Sequence, residues 1–367
     1  MIDRDELAAW LRLIETPQIG LDSARRLLSH FGSPQAVFDA PNAARRELLT
    51  PKQAEALNAA ELAGLVDTTW QWLNASDEAD RHVITLGDAD YPRALLETAD
   101  PPLLLYAIGR TTLLRGPSIA VVGSRNPSPQ GAENSRAFAN ALSATGLTVV
   151  SGLALGIDTA AHEGALGGAG STIAVLGTGL DRVYPKRNLA LAHRIAREGL
   201  LLGEYALGTP PLPANFPRRN RLIAGMTCGT LVVEAALQSG SLITARLAIE
   251  AGRDVYAIPG SIHAPQSRGC LALIKQGAKL VDSVADILDE LHPAVQAMPP
   301  PPSPAHASRT SDDPVLSGLG YEAMTLDALS DRLGTPPAEL SARLLELELS
   351  GEVVRLPGQR FQRLVRV

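Results

Sequence analysis

Short apolar runs alternate with longer segments of helical periodicity through the middle of the chain. Each run has three to five mostly apolar residues, the pattern of a strand buried on both faces of a parallel sheet. The runs are 119–122, 148–150, 172–176, 200–202, 230–233, 254–258 and 279–281. Two earlier runs, 84–85 and 103–106, predict edge strands. Strands that alternate with helices in this way predict an α/β fold with a Rossmann-like, doubly wound and mostly parallel sheet.

Residues 1–80 have a helical pattern instead. Leu7 and Leu11 repeat at the spacing of one helix face, and Pro17-Gln18-Ile19-Gly20 forms a turn before the next helix. Two short helices around a glycine turn resemble a helix-hairpin-helix or SAM-like domain, a module that elsewhere holds the DNA backbone. Because this region has 7 basic against 13 acidic residues, we favour helical packing or partner contact over DNA binding here.

The composition changes abruptly after Leu291, where proline becomes frequent. This stretch predicts a stiff, extended linker. The chain beyond it has the order helix, helix and hairpin, which is typical of a winged-helix domain. A net charge of −1 and several leucines on the second of these helices favour protein contact over DNA as its role. The predicted regions are 1–80, 81–292, 293–313 and 314–367.

Bulk composition predicts a soluble, cytoplasmic protein. The 367 residues are 45% hydrophobic and 20% charged, enough for a sizeable core in two or three domains. Cys228 and Cys270 lie far apart without metal-ligand spacing, which argues for a reducing compartment and against a zinc site or disulfides. No segment approaches the ~20 apolar residues that cross a bilayer. We expect no membrane association, no metal and no cofactor.

Basic side chains concentrate at one predicted helix start. The whole chain has a net charge of −6, whereas residues 81–292 have 19 basic against 17 acidic residues. The cluster consists of Phe216, Arg218, Arg219, Asn220 and Arg221. Pro217 fits the first turn of a helix, so backbone N–H and guanidinium groups there would point at one anion. The Ser239-Gly240-Ser241 loop adds donors for a second phosphate, although a solvated face with salt bridges is the alternative.

Two predicted strands end in glycine and a hydroxyl group. Val122 is followed by Gly123-Ser124-Arg125, and Val150 by Ser151-Gly152, with Gly156 four residues further on. The carboxyl ends of parallel strands meet at the ligand-binding edge of such a sheet, and glycine permits close approach of a phosphate. We expect these loops to join the arginine cluster in one site. The alternative is that the glycines only form tight strand-to-helix turns.

The common signatures of nucleotide-binding and catalytic sites are missing. Residues 177–182 lack the third glycine of GxGxxG, and no GxxxxGK[ST], GxSxG or HExxH occurs. His162, four residues after Asp158, is a candidate base, although a structural role is favoured. We therefore expect no catalytic residues.

Five motifs in order resemble the bacterial DNA-processing protein A family (DprA, also called Smf). They are Val122-Gly123-Ser124-Arg125, the segment 151–158, the segment 216–221, Gly240-Ser241-Leu242-Ile243-Thr244-Ala245 and Ile258-Pro259-Gly260. The resemblance covers roughly residues 80–292, and the flanking regions agree with the family's layout. It implies a homodimer that binds single-stranded DNA, protects incoming DNA in natural transformation and loads the RecA recombinase on it, without catalysis.

The family's DNA pocket can be carried over position by position. It would use Ser124, Arg125, Gly152, Gly156, Phe216, Arg218, Arg219, Asn220, Arg221, Ser239, Gly240 and Ser241. Cations along the phosphates and one ring for base stacking hold single strands without sequence readout. Some relatives carry a lysine shortly before the phenylalanine, where this chain has Pro210, Pro211 and Pro213. Arg218 or Arg219 would have to compensate.

Two other functions stay open. The segment 229–234 resembles the GTxxE part of the Rossmann-like nucleoside-monophosphate phosphoribohydrolases, in which a carboxylate acts on a ribosyl phosphate. Thr227-Cys228 stands where that family has Pro-Gly-Gly, which weakens the resemblance. The third hypothesis is a nucleotide-sensing regulator whose winged helix acts on duplex DNA.

Overall fold

A computed structural model describes residues 2–59, 62–76, 79–291, 313–320 and 323–364. The first part of the chain is helical. Its helices are α1 (Arg4–Glu15), α2 (Leu21–Phe31), α3 (Pro34–Asp39), α4 (Asn42–Leu48), α5 (Pro51–Ala59) and α6 (Ala63–Leu73). They pack around a common apolar core, and the Trp72 ring meets the Tyr106 ring of the adjoining sheet edge-on at 5.9 Å.

The turn between α1 and α2 is the one that the sequence predicts. Gln18 takes a φ of 72°, Ile19 is buried, and Gly20 is the N-cap of α2. Asp3 caps α1 by accepting a hydrogen bond from the Glu6 amide at 2.8 Å, an interaction that contributes about 1 kcal/mol to a helix. The predicted helical domain, with its turn between two helices, is confirmed.

A nine-stranded sheet forms the centre of the molecule, with the order β1-β2-β6-β5-β4-β3-β7-β8-β9. The strands are β1 (Arg81–Thr85), β2 (Leu104–Gly109), β3 (Ser118–Val122), β4 (Thr148–Ser151), β5 (Thr172–Val175), β6 (Leu200–Gly203), β7 (Gly229–Val232), β8 (Asp254–Ala257) and β9 (Lys279–Leu280). Strands β3 to β9 pair in parallel, whereas β1 and β2 add an antiparallel edge. The predicted doubly wound α/β fold is confirmed, and each of the seven predicted strands lies within one residue of its predicted ends.

Helices cover both faces of this sheet. They are α7 (Arg93–Leu96), α8 (Pro129–Ala144), α9 (Ile157–Ala165), α10 (Leu189–Glu198), α11 (Asn215–Gly225), α12 (Gly240–Glu250), α13 (Arg268–Lys275) and α14 (Val284–Glu290). The side chains of alternate residues in β3 lie on opposite faces of the sheet. Ile119 belongs to the cluster that contains Phe138 of α8, and Ala120 to the cluster that contains Leu222 of α11. Burial on both faces explains why the strands are nearly continuous apolar runs.

The strand order reverses between β3 and β7. From β3 the chain adds β4, β5 and β6 on one side, and then crosses to add β7, β8 and β9 on the other. The loops that leave β3 and β7 therefore diverge to opposite faces at the carboxyl edge. Such a switch point leaves a crevice, which is where ligands bind in open α/β sheets.

The last part of the chain forms a small separate core. Its elements are α15 (Pro314–Leu319), β10 (Met324–Thr325), α16 (Leu326–Leu333), α17 (Pro337–Leu349), β11 (Val353–Leu356) and β12 (Arg360–Arg363), with the sheet order β10-β12-β11. The predicted winged-helix fold is confirmed. The predicted linker, 293–313, lies outside the described residues except for Asp313, which caps α15. Leu345 and Leu349 of α17 are exposed, and a protein-contact role for this helix stays a prediction.

None of the helices in the described ranges is both long enough and apolar enough to cross a lipid bilayer.

Candidate functional site

A cleft of about 510 Å³ lies at the switch point, over the carboxyl ends of β3 and β7. It brings together three of the predicted segments: the loop after β3, the start of α11 and the start of α12. Of the predicted site residues, its lining includes Ser124, Arg125, Phe216, Arg219, Asn220, Ser239, Gly240 and Ser241. Gly152 lines a smaller adjoining pocket together with Arg125 and Phe216. Gly156, Arg218 and Arg221 line neither.

Helix α11 presents only one of its faces to the cleft. Phe216, Asn220 and Ile223 follow each other at helical spacing and line it. Arg218 and Arg221 lie on the other side of the helix. This division follows from the 3.6-residue period and was available in the sequence once the helix was placed.

Arg219 is buried beneath the cleft, with 4% of its surface exposed. Its Nη1 donates a hydrogen bond to the carbonyl oxygen of Val175, at the end of β5. A Cβ added at Gly152 would overlap the guanidinium group, so any larger residue there would have to displace the buried Arg219 side chain. Burial lowers the pKa of Arg219 to about 10, against the opposing effect of the Asp158 carboxylate. The side chain thus remains charged at neutral pH and serves as part of the floor.

Asp158 organises the loop after β4 from the start of α9. Its Oδ2 accepts hydrogen bonds from the amides of Gly152 (3.1 Å) and Ala154 (3.2 Å). Burial raises the pKa of this carboxyl group, and the Arg219 charge together with the two amides opposes that rise. The buried Asn188 donates to the carbonyl oxygen of Leu153 at 2.9 Å, and Leu153 has a φ of 59°. The loop is therefore held in a single, unusual conformation.

Gly156 supports the site from behind. Its φ is 85°, and a Cβ added there would overlap the carbonyl oxygen of Ser124. The next amide, that of Ile157, donates to the same oxygen at 3.1 Å. Gly156 thus lets two loops touch and fixes the position of Ser124-Arg125, without facing the cleft itself.

Arg125 stands at the mouth of the cleft. Its backbone is fixed because the Ser124 amide donates to the Glu234 carbonyl oxygen at 2.7 Å, and the Ser124 hydroxyl accepts from the Asn126 amide at 3.1 Å. The Arg125 side chain is exposed, and it makes no hydrogen bond or ion pair with any residue in the described ranges. A cation without an internal partner on a rigid turn is available to a ligand.

The start of α12 forms the opposite wall. Ser239 is the N-cap: its hydroxyl accepts from the Ser241 amide at 3.3 Å and lies 2.7 Å from the Ser241 hydroxyl. The positive end of the helix dipole at this first turn favours an anion in the cleft. Gln238 and Asn126 also line the cleft, and no sequence motif marks them.

Arg221 and Arg218 point to a carboxylate on the far side of α11. The Arg221 guanidinium pairs with the side chain of Glu204, which is 7% exposed, and donates to the carbonyl oxygen of Asp100 at 2.6 Å. Arg218 Nε lies 3.9 Å from the other Glu204 oxygen. Burial raises the pKa of Glu204, and both arginines oppose this. Arg221 therefore already has an internal partner, and DNA contact by these two arginines stays a prediction.

Glu234 and His162, the two candidate acid–base groups, have structural partners. The Glu234 carboxylate accepts from the amide (2.9 Å) and the hydroxyl (2.5 Å) of Ser128, the N-cap of α8. His162 is fully buried with Nδ1 2.7 Å from the Thr172 hydroxyl, and burial lowers its pKa to about 3, which leaves it neutral. Among the described residues, no group of three or more His, Cys, Asp and Glu side chains is placed to hold a metal ion.

Sequence-family comparison agrees with the layout of three parts. Residues 82–292 match a family that is described as "DNA recombination-mediator protein A". A DprA-like N-terminal HHH domain matches residues 4–62, and a DprA winged helix domain matches residues 298–359.

The chain is similar to proteins of several bacteria. It is 39% identical over 356 residues to Protein Smf of Escherichia coli, covering 95% of this chain and 94% of that protein. It is 52% identical over 203 residues to the DNA processing protein DprA of Streptococcus pneumoniae, covering 55% of this chain and 72% of the relative.

Two solved structures are also similar. The X-ray structure of DprA from S. pneumoniae aligns with a TM-score of 0.68 at 38% identity, over 79% of this chain and 98% of the other. A structure of the Helicobacter pylori protein, described as giving insights into its single-stranded DNA binding mode, aligns with a TM-score of 0.53 at 32% identity. That alignment covers 58% of this chain and 96% of the other.

Replacing Arg219 by methionine tests the floor of the cleft. The substitution removes the bond to Val175 and leaves the buried Asp158 carboxylate without its compensating charge, so the free energy of unfolding should fall by about 2–4 kcal/mol. Urea unfolding measures this. The matched control, Arg125→Met, removes an exposed side chain and should change stability by less than about 0.5 kcal/mol. Equal stabilities of the two variants would contradict a structural role for Arg219.

Proposed function

The chain belongs to the DNA recombination-mediator protein A family, and from this membership and the geometry of the cleft we propose that it binds single-stranded DNA there without catalysing a reaction. The observation that carries the proposal is that one cleft is shared by Arg125, the partly exposed Phe216 ring and the start of α12. These supply a cation, a stacking surface and an anion-binding helix end. Arg125 has no side-chain partner among the residues that the structure describes.

Each element matches one part of a polynucleotide. Arg125 neutralises a phosphate by a charge-assisted hydrogen bond, and the first turn of α12 at Ser239–Ser241 receives another. Phe216 offers its ring to a base. Stacking accepts every base, so binding of this kind is independent of sequence and is weakened by salt. The printed description of the H. pylori relative, which names single-stranded DNA binding, supports the same ligand.

The wider role follows from the family resemblance. We infer that the protein protects incoming DNA in natural transformation, loads RecA on it and acts as a homodimer. No contact within the described ranges assigns a surface to RecA or to a second copy, so these partners rest on the resemblance alone.

The absence of catalysis is supported by the way Glu234 is used. In the rival enzyme function this carboxylate would act on a ribosyl phosphate. Here both of its oxygens accept hydrogen bonds from Ser128 and thereby hold the N-cap residue of α8 in place. A carboxylate that is held by its own chain in this way is poorly placed to act on a substrate in the cleft.

Salt dependence of DNA binding should separate the cation from the ring. Arg125→Gln should weaken binding to every sequence and lower the slope of log affinity against log salt by roughly 0.7, since one phosphate contact is lost. Phe216→Ala should cost ~1–3 kcal/mol and leave the slope nearly unchanged, because it removes stacking and no charge. Fluorescence anisotropy with labelled oligothymidine at several salt concentrations measures both quantities.

The control is Arg246→Gln, which makes the same change of charge on an exposed part of α12 outside the cleft, where Arg246 faces Glu250. It should leave affinity and slope close to those of the unmodified protein. If Arg125→Gln and Phe216→Ala also bind like the unmodified protein, the cleft is not the DNA site.

Incubation with AMP should give no release of adenine, in the unmodified protein or in Glu234→Gln. The reason is that Ser128 holds the Glu234 carboxylate, and two backbone amides hold the Asp158 carboxyl group, which lines the cleft. Chromatography of the products measures this. Turnover that Glu234→Gln abolishes would establish the rival enzyme function.

A further inference from the structure

We propose that helix α17 of the winged helix docks an amphipathic helix of a partner protein, one whose apolar residues are flanked by lysine or arginine. The docking face consists of Ala338, Ala342, Leu345 and Leu349, which together form the exposed stripe of α17. The inference is independent of the DNA cleft and of the proposed function. It assigns to this helix a defined surface and a defined kind of partner.

The exposed stripe lies opposite the face by which α17 packs on its own domain. On that inner face, three other leucines are buried in the core of the winged helix: Leu340, Leu344 and Leu347. Since successive residues of a helix are rotated by about 100°, the centre of the stripe lies roughly 160° from the centre of the inner face. All four residues of the stripe are exposed, with 51% of Leu345 and 81% of Leu349 accessible. The stripe is therefore not needed for the packing of the domain itself.

The spacing of the stripe is that of a seam between two helices. Its residues follow each other at intervals of four, three and four, which is the alternation of the d and a positions of a coiled coil. Single exposed leucines are common on soluble proteins and need no explanation. A row of apolar side chains along about three turns of one helix is different, because it is the surface that an amphipathic helix covers.

Acidic side chains border the stripe on both sides. Glu339 and Glu346 follow its d positions, whereas Ser341 and Glu348 precede its a positions. In a coiled coil these are the e and g positions, whose charges determine the choice of partner. Glutamates at three of the four positions favour lysine or arginine at the facing positions of the partner helix.

Basic residues of the domain do not cancel this preference. Arg343, the one basic residue of α17, pairs with Asp313 at the start of α15 and with Glu346, each at 2.5 Å. Arg355 of β11 lies 3.9 Å from Glu348. Exposed pairs of this kind contribute little to stability, so a cation of the partner can replace them. With three glutamates against one arginine, α17 keeps a net charge of −2.

The same charges disfavour two other occupants. Duplex DNA would bring phosphates against three glutamates, whereas a helix that binds DNA presents positive charge. A second copy of α17 would bring glutamate against glutamate at the flanking positions, which is repulsive. A basic amphipathic helix matches both the stripe and its flanks. Because the stripe has only about three turns, the contact buries less than the ~1,600 Å² of a standard interface and suits a transient partner.

Two synthetic peptides of about 21 residues test the proposal on the full chain. Both have leucine at the a and d positions. One has lysine at e and g, and the other has glutamate there. The unmodified protein should bind the lysine peptide at least about tenfold more tightly, because glutamates flank the stripe. Fluorescence anisotropy of the labelled peptides measures both affinities.

Two variants separate the stripe from its flanks. Leu345→Gln/Leu349→Gln should lose at least about tenfold in affinity for the lysine peptide, because it removes the two large apolar contacts. Glu339→Lys/Glu346→Lys keeps both leucines and should reverse the preference, so that the glutamate peptide binds more tightly. The second variant keeps the proposal testable if the first one fails to fold.

The control is Leu96→Gln/Ile262→Gln, which removes two exposed apolar side chains outside the winged helix. It should bind both peptides like the unmodified protein. Every side chain changed in these variants is exposed, so circular dichroism should show the same helix content in all of them.

Five outcomes would overturn the inference. If the unmodified protein binds neither peptide, or both equally, the charged flanks select nothing. If Leu345→Gln/Leu349→Gln keeps its affinity for the lysine peptide, or Leu96→Gln/Ile262→Gln loses as much, the stripe is not the docking site. A changed sedimentation coefficient of Leu345→Gln/Leu349→Gln would show that a second copy covers the stripe, and weaker binding of a labelled duplex by this variant would identify DNA as the occupant.

Discussion

The burial of a charged arginine beneath the crevice is the constraint on which the site depends. Arg219 extends from α11 to the end of β5 and lies against Gly152, while the Asp158 carboxylate nearby opposes the cost of burying its charge. The same carboxylate holds the loop after β4 through two amides. One helix, one strand end and one loop are therefore fixed relative to each other. A buried, unpaired charge would cost several kcal/mol, so the three parts cannot move independently.

This arrangement divides the arginines of the site by task. Arg219 is structural, and Arg221 is held by Glu204 and by the Asp100 carbonyl oxygen. Arg125, on a turn that Gly156 supports, keeps its guanidinium available. The basic helix start that stands out in the sequence thus supplies mainly the framework and the Phe216 ring. Free positive charge comes from strand-end loops, which is where a rigid α/β scaffold usually places its binding groups.

The fold was predictable because each strand of a parallel sheet is buried on both faces and therefore appears in the sequence as a continuous apolar run. The crevice was predictable because the carboxyl ends of parallel strands lie at the same edge of the sheet. The partners of individual arginines were not predictable. Asp100 precedes Arg221 by 121 positions and approaches it only through the fold. Helical spacing alone, by contrast, is enough to separate Phe216 and Asn220 from Arg221.

We propose that single-stranded DNA occupies the crevice built over Arg219. Hydrogen–deuterium exchange of the full chain, read by mass spectrometry with and without oligothymidine, tests it most directly. Saturating DNA should slow exchange in residues 123–126, 152–156 and 239–244, and leave α17 of the winged helix unchanged. Slowed exchange confined to α17, or to the turn between α1 and α2, with the three crevice segments unaffected, would show that the DNA binds outside the crevice.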